Sequence, residues 1–259
     1  KQKSGHTSMT SVAVALGPLC PAPSDCRGSV LHHSRQSGAL TQIKLSAVDK
    51  RKCVSVLEGR LVCFDWDEEG TRPLNVRGMG MESDPISATH WYNRDCVLAA
   101  GQATELSLWD TRGKHLRAMD CSDVSTDELG RRIQCITTCG SAADTSIYTG
   151  DSSGRVVLWD VRKAGRPVIT RQMELGSMLR AGRGGVRTLN IHSRRSKQSM
   201  IACVGKALVL LDLRDGLLSE EIEPITIHRD VLPVNTVDVH GDVAVWGSDS
   251  GVLGTYSML

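Results

Sequence analysis

Aromatic residues are scarce in this chain of 259: one Phe, three Tyr and five Trp. Any core it forms is therefore built from Val, Leu, Ala and Ile. An excess of one charge is lacking too, since 31 Lys and Arg oppose 29 Asp and Glu for a net of +2. Bulk electrostatics thus give no case for a nucleic-acid binder. No apolar run approaches the roughly 20 residues that cross a bilayer as a helix, and no stretch sustains a helical period. Gly182-Arg183-Gly184-Gly185 lacks the Lys-Ser/Thr that would make it a phosphate-binding loop. Near the start, Lys1 and Lys3 precede Val12-Ala13-Val14-Ala15-Leu16, but Gly17-Pro18 cuts that run short. A secretory core needs roughly 7–15 apolar residues, so the run reads as a strand.

With 40% apolar and 23% charged residues, the composition is that of a soluble globular protein. The length admits two average domains or one large all-β domain. Nine cysteines are an odd number for a disulfide framework. Several lie inside apolar runs, where a free thiol behaves as a small core residue. The pattern points to a reducing compartment, cytosol or nucleus.

What the chain does have is a repeat. Glu105-Leu106-Ser107-Leu108-Trp109-Asp110-Thr111-Arg112 recurs as Arg155-Val156-Val157-Leu158-Trp159-Asp160-Val161-Arg162. Degenerate copies are Ala207-Leu208-Val209-Leu210-Leu211-Asp212-Leu213-Arg214 and, earlier, Arg60-Leu61-Val62-Cys63-Phe64-Asp65-Trp66. Trp109 and Trp159 lie 50 residues apart, and Asp160 and Asp212 lie 52 apart. In the best unit, Ile147-Tyr148-Thr149 and Arg155 to Asp160 flank Gly150-Asp151-Ser152-Ser153-Gly154, the grammar of a hairpin. Ile133 to Cys139 alternates upstream, and Pro167-Val168-Ile169-Thr170 supplies an outer strand. Four strands per unit make one propeller blade. The expected fold is all-β: a WD40-type β-propeller with blades at about 40–78, 85–119, 132–174, 185–223 and 234–257. Residues 1–36 form part of another blade at most, and the ring is incomplete, degenerate or closed with a partner.

These motifs resemble the WD-repeat family, with its Gly-His at an outer loop, Gly-Asp-type turn and Trp-Asp closing a strand. The family's His–Ser/Thr–Trp–Asp hydrogen-bond set implies roles for Thr149, Asp151 and Trp159, although no His precedes that blade at the matching place. The tail Leu232-Pro233-Val234-Asn235-Thr236-Val237-Asp238-Val239-His240-Gly241, followed by Gly247-Ser248-Asp249, is similar to the closing blade of the small WD-repeat nucleoporins of the nuclear pore's Y-shaped scaffold. The order of a Trp-Asp-Thr-Arg blade, a Trp-Asp-Val-Arg blade and this tail is similar too. The resemblance implies a non-enzymatic scaffold at the nuclear envelope, in the nuclear pore complex, docked on larger helical nucleoporins of that complex. It implies no cofactor, no small-molecule substrate and no membrane insertion.

Single residues divide between structure and contact. Trp109 and Trp159 each follow a Leu at the end of an inner strand, so they read as packing between blades. Asp110 and Asp160 read as strand-end hydrogen-bonders. His228 precedes Val234-Asn235-Thr236-Val237 much as His6 precedes Ser11-Val12, a structural place where the chain enters the last blade. Arg112 and Arg162 complete Trp-Asp-x-Arg, which also occurs in substrate receptors of cullin-type ubiquitin ligases. A guanidinium fork there would pair a carboxylate on an adaptor. From Leu175 to Leu211 there is no Asp or Glu, while Arg180, Arg183, Arg187, Arg194, Arg195, Lys197 and Lys206 are basic. Such a stretch would steer an acidic partner or touch RNA, though without aromatics for base stacking. Cys135 and Cys139 fall on one face of a strand, and Cys20 and Cys26 lie near His32-His33, but neither set has a zinc-finger spacing. No nucleophile–base set is assembled by the sequence.

Overall fold

The computed structural model describes residues 12–14, 29–31, 40–46, 49, 52–57, 59–66, 73–79, 85–101, 106–111, 114–119, 132–140, 145–160, 168–179, 184–194, 197–213 and 223–258. Nearly all of this is strand. A short pair, β1 (Val12–Val14) and β2 (Ser29–Leu31), is antiparallel. Five further antiparallel sheets follow in chain order, each an up-and-down meander. The first holds β3 (Leu40–Leu45), β4 (Lys52–Leu57), β5 (Arg60–Trp66) and β6 (Pro73–Met79). The second holds β7 (Ala88–Trp91), β8 (Cys96–Ala100), β9 (Leu106–Asp110) and β10 (Lys114–Met119). The third holds β11 (Ile133–Cys139), β12 (Ser146–Asp151), β13 (Arg155–Asp160) and β14 (Val168–Glu174). A single helical turn, α1 (Leu175–Met178), leads to the fourth: β15 (Val186–Arg194), β16 (Lys197–Val204), β17 (Ala207–Leu213) and β18 (Ile225–Arg229). The fifth has three strands among the described residues, matching the three β-prone runs of its sequence: β19 (Val234–His240), β20 (Val243–Ser248) and β21 (Leu253–Ser257).

The first strands touch in succession, β3 against β7, β7 against β11, β11 against β15 and β15 against β19. Each neighbouring pair of sheets encloses its own apolar layer. Val54, Val56, Leu61 and Cys63 meet Trp91, Val97, Ala99 and Trp109. On the other face of the second sheet, Ala88, Leu98, Ala100 and Leu106 meet Ile136, Ile147, Val157 and Trp159. Tyr148, Val156 and Leu158 of the third sheet then meet Leu189, Met200 and Ala202 of the fourth. Ile201, Cys203 and Leu208 meet Val237, Ala244 and Trp246 of the fifth. Adjacent residues of one strand thus serve opposite layers, as the two-residue period of a strand dictates. This explains the unbroken apolar runs Val97-Leu98-Ala99-Ala100 and Met200-Ile201-Ala202-Cys203-Val204: both faces are covered.

A second repeat lies at the start of the first strands. Ile133-Gln134-Cys135-Ile136, Val186-Arg187-Thr188-Leu189 and Val234-Asn235-Thr236-Val237 each carry a register shift between the first and third residue. The outer aliphatic residues of each quartet are buried. The extra residue of such a bulge sharpens the bend and turns its side chain toward the end of the sheet.

Sheets three and four approach so closely at this end that only glycine fits. A Cβ on Gly185 would lie 2.8 Å from Cα of Ser152 and 3.0 Å from the Asp151 carbonyl oxygen, which are backbone and cannot swing away. Gly185→Ala therefore has to push the two sheets apart. Overpacking of this kind costs about 1–3 kcal/mol. The expected outcome is a lower urea midpoint with an unchanged slope, whereas Gly241→Ala, with open space around it but φ of 56°, is limited to local strain.

Candidate functional site

The bulges and the β12–β13, β16–β17 and β20–β21 turns lie at one end of their sheets, because Ile133 pairs with Asp151, Val186 with Val204 and Val234 with Ser248. That end is polar and internally bonded. Asp151 closes the β12–β13 turn: Oδ1 accepts from the Ser153 N–H at 2.9 Å, the Ser153 hydroxyl at 2.6 Å and the Arg155 N–H at 3.0 Å. Its Oδ2 accepts from Arg155 Nε at 3.1 Å. Arg155 is itself buried, donates to Gln172 Oε1 at 3.1 Å and lies 3.7 Å from Glu174. Trp159, 2% exposed, donates from Nε1 to Thr149 Oγ1 at 2.9 Å. The family-type set expected for Thr149, Asp151 and Trp159 is thus divided. The Thr–Trp bond forms, and the aspartate binds Arg155, which the sequence reading did not single out.

A second network joins sheets four and five. Arg187 donates to Asn235 Oδ1, Asn235 donates to Asp249 Oδ1, and the Arg187 guanidinium lies 3.9 Å from Asp249 Oδ2. Thr188 Oγ1 donates to the Asn235 carbonyl at 2.9 Å. Nearby, Asp230 accepts from Ser248 and Ser250 hydroxyls, each at 2.6 Å, and from the Val231 N–H at 2.6 Å. The hydroxyl bonds, Ser248's first, hold its carboxyl well below the usual carboxylate range. His228 lies on β18, the last strand of the fourth sheet and the one before β19; its ring stacks on Trp246 of the fifth sheet at 4.2 Å, with Nε2 4.0 Å from Asp230 Oδ2.

Among the described residues, the positions of the basic stretch are spread along β15 and β16. Arg187 sits at the start of β15, bonded within the protein, while Arg194 ends β15 and Lys197 begins β16. The nine-residue strand separates these positions by roughly 26 Å. Arg112, Arg162, Arg180, Arg183 and Arg195 lie outside the described residues, as do the side chains of Asp160, Arg194 and Lys197. Trp109 and Asp110 are buried on β9.

No protein-family model matches the chain, and no curated protein does. Among the solved structures, it is similar to one described as the crystal structure of the computationally designed Ika4 protein. The two are 12% identical, the match covers 70% of this chain and 96% of that one, and the TM-score is 0.47. At that level the likeness bears on neither family nor function.

Among the described residues the thiols of Cys53, Cys63, Cys135 and Cys203 are core groups. Burial pushes Cys53 up to about 11 and Cys203 up to about 12; Cys63 rises to about 12 through burial and, secondarily, Cys53. Thiols so protonated are poor nucleophiles. Cys135 and Cys139 both face β15, with Sγ 3.3 Å from the Val186 carbonyl and 4.0 Å from Ser193 Oγ respectively. Among the described residues no three His, Cys, Asp or Glu side chains group as a metal ion would require.

Two outcomes follow from these bonds. Thr149→Val keeps the shape but strands the buried Trp159 N–H, which costs about 1–3 kcal/mol; Trp159→Ala empties the site for about 3–5 kcal/mol. Equilibrium denaturation reads both. His90 on β7 has a buried, unbonded Nδ1, and burial, aided by the Lys44 ammonium, pushes its pKa from 6.5 down to about 4. A histidine held neutral in the fold contributes stability above its unfolded pKa. That stability drains as pH falls from 6.5 toward 4, because the unfolded chain takes the proton first. A His90→Phe protein is expected to show a flatter stability profile across that window.

Proposed function

We infer that this chain is a WD-repeat β-propeller that catalyses nothing and holds other proteins, as a structural subunit of the nuclear pore outer ring. The observation that carries the reading is the sequence from Leu232 to Asp249, following two Leu-Trp-Asp-x-Arg units in that order. The meander sheets placed side by side through their first strands are compatible with blades. The Trp159–Thr149 bond supports the family resemblance. The tight internal bonding of Asp151, Arg155 and Arg187 supports a rigid body whose polar residues hold its own turns.

The partners on this reading are the larger helical scaffold nucleoporins. A rigid body of this kind binds without ordering itself, so its affinity is not diminished by a folding cost. The test is affinity purification of the tagged full chain with mass spectrometry, together with its location in interphase cells. The expected result is a nuclear rim signal and recovery of scaffold nucleoporins. A diffuse signal with none of them recovered overturns the assignment, and recovery of a cullin adaptor lost on Arg162→Ala replaces it with the ubiquitin-ligase reading.

A further inference from the structure

We propose that the free edge of the fifth sheet, strand β21, pairs with β21 of a second copy of this chain about a two-fold axis through Thr255. The inference rests on strand topology alone and is independent of the nuclear pore reading. An unpaired edge strand is a template for another strand, and proteins usually blunt it with charge or proline. The outermost strands of the other four sheets include such residues in their sequences: Pro73 and Arg77 in β6, Lys114 and Arg117 in β10, Arg171 and Glu174 in β14, and Arg229 in β18. β21 reads Leu253-Gly254-Thr255-Tyr256-Ser257, with neither. It belongs to the one sheet of the five with three strands. Among the described residues nothing covers it: Leu253 is 78% exposed, and Thr255 and Ser257 are exposed as well.

The hydrogen-bond pattern identifies the occupant. Ser248 N–H donates to the Val252 carbonyl, and Met258 N–H donates to the Asp242 carbonyl. Residues 252 and 258 therefore bond inward to β20 or its flanks. Antiparallel alternation then turns the N–H and C=O of Leu253, Thr255 and Ser257 outward. That set is symmetric about Thr255. A second β21 laid antiparallel puts Thr255 opposite Thr255 and Leu253 opposite Ser257, and all six outward groups of each copy find partners. No charge meets a like charge, and each Leu253 gains the neighbouring strand as cover. An isologous contact of this sort closes on itself and forms dimers, not fibres.

Sedimentation of the full chain across a concentration series into the high micromolar range tests this, with amide exchange read residue by residue. The mass is expected to rise from 28.0 kDa toward twice that value. Protection should grow with concentration at Leu253, Thr255 and Ser257. Thr255→Pro removes only an outward donor, so β20–β21 pairing survives while the dimer is lost. Thr255→Lys sets two ammonium groups face to face at the axis and gives the same loss, with melting unchanged in both. A wild-type protein that stays at 28.0 kDa overturns the proposal. So does protection at these three amides that is independent of concentration, which would mean the chain covers its own edge, and so does a dimer that both variants retain.

Discussion

Covering both faces of the middle sheets is the constraint on which the rest of the structure depends. A strand shows its side chains alternately up and down, so a sheet with a neighbour on each side offers no position to a polar group that lacks its own partner. The second, third and fourth sheets meet this with runs such as Val156-Val157-Leu158-Trp159, in which Val156 and Leu158 serve one layer and Val157 and Trp159 the next. The scarcity of aromatics follows the same geometry. Layers filled from both sides favour Val, Ala and Ile, and two of the large rings sit where a polar tip is answered. Trp159 reaches Thr149, and Trp91 donates to the Lys44 carbonyl at 3.0 Å across two sheets.

Polar chemistry is displaced to the sheet ends. There Asp151 bonds with Arg155, and Arg187 and Asp249 bond with Asn235 in a second set, which leaves the turns defined by side chains as well as by backbone. Arg155 and Asp151 form a buried pair, and removing one partner of such a pair is far more damaging than its net contribution suggests. The fifth sheet departs from the rule. Ala244 and Trp246 are buried while Val243 and Val245 face outward, so its alternation is that of a sheet with one open face. Trp246 also lies over Gly254, where any Cβ would stand 2.3 Å from the ring.

Much of this was legible in the sequence, for reasons that differ by element. The β12–β13 hairpin announced itself because Gly150-Asp151-Ser152-Ser153-Gly154 interrupts two β-prone runs, and turn chemistry is local. The all-β class was legible from short apolar runs without helical period. The bulge quartets were visible as Val-Arg-Thr-Leu and Val-Asn-Thr-Val but carry no meaning until a partner strand reveals the shifted register. The fourth sheet extends to Arg229, past its expected end at 223, because Ile225-Thr226-Ile227 pairs with β17 across a long connection that local pattern does not span. Arg155 was missed because an arginine beside a turn looks exposed in sequence; only the fold shows the carboxylates around it. The acid-free stretch looked continuous because sequence proximity hides the length of β15.

If two-sided burial governs this fold, protection from solvent should follow position in the series of sheets rather than strand propensity. Native-state hydrogen exchange of the full chain in dilute solution measures that directly. The account predicts that amides of β8, β12 and β16 exchange only through global unfolding, while those of β20 and β21, with one open face, exchange through a lower-energy local opening. Equal protection of β20 and β16 would contradict it, since the open face would then carry no energetic consequence.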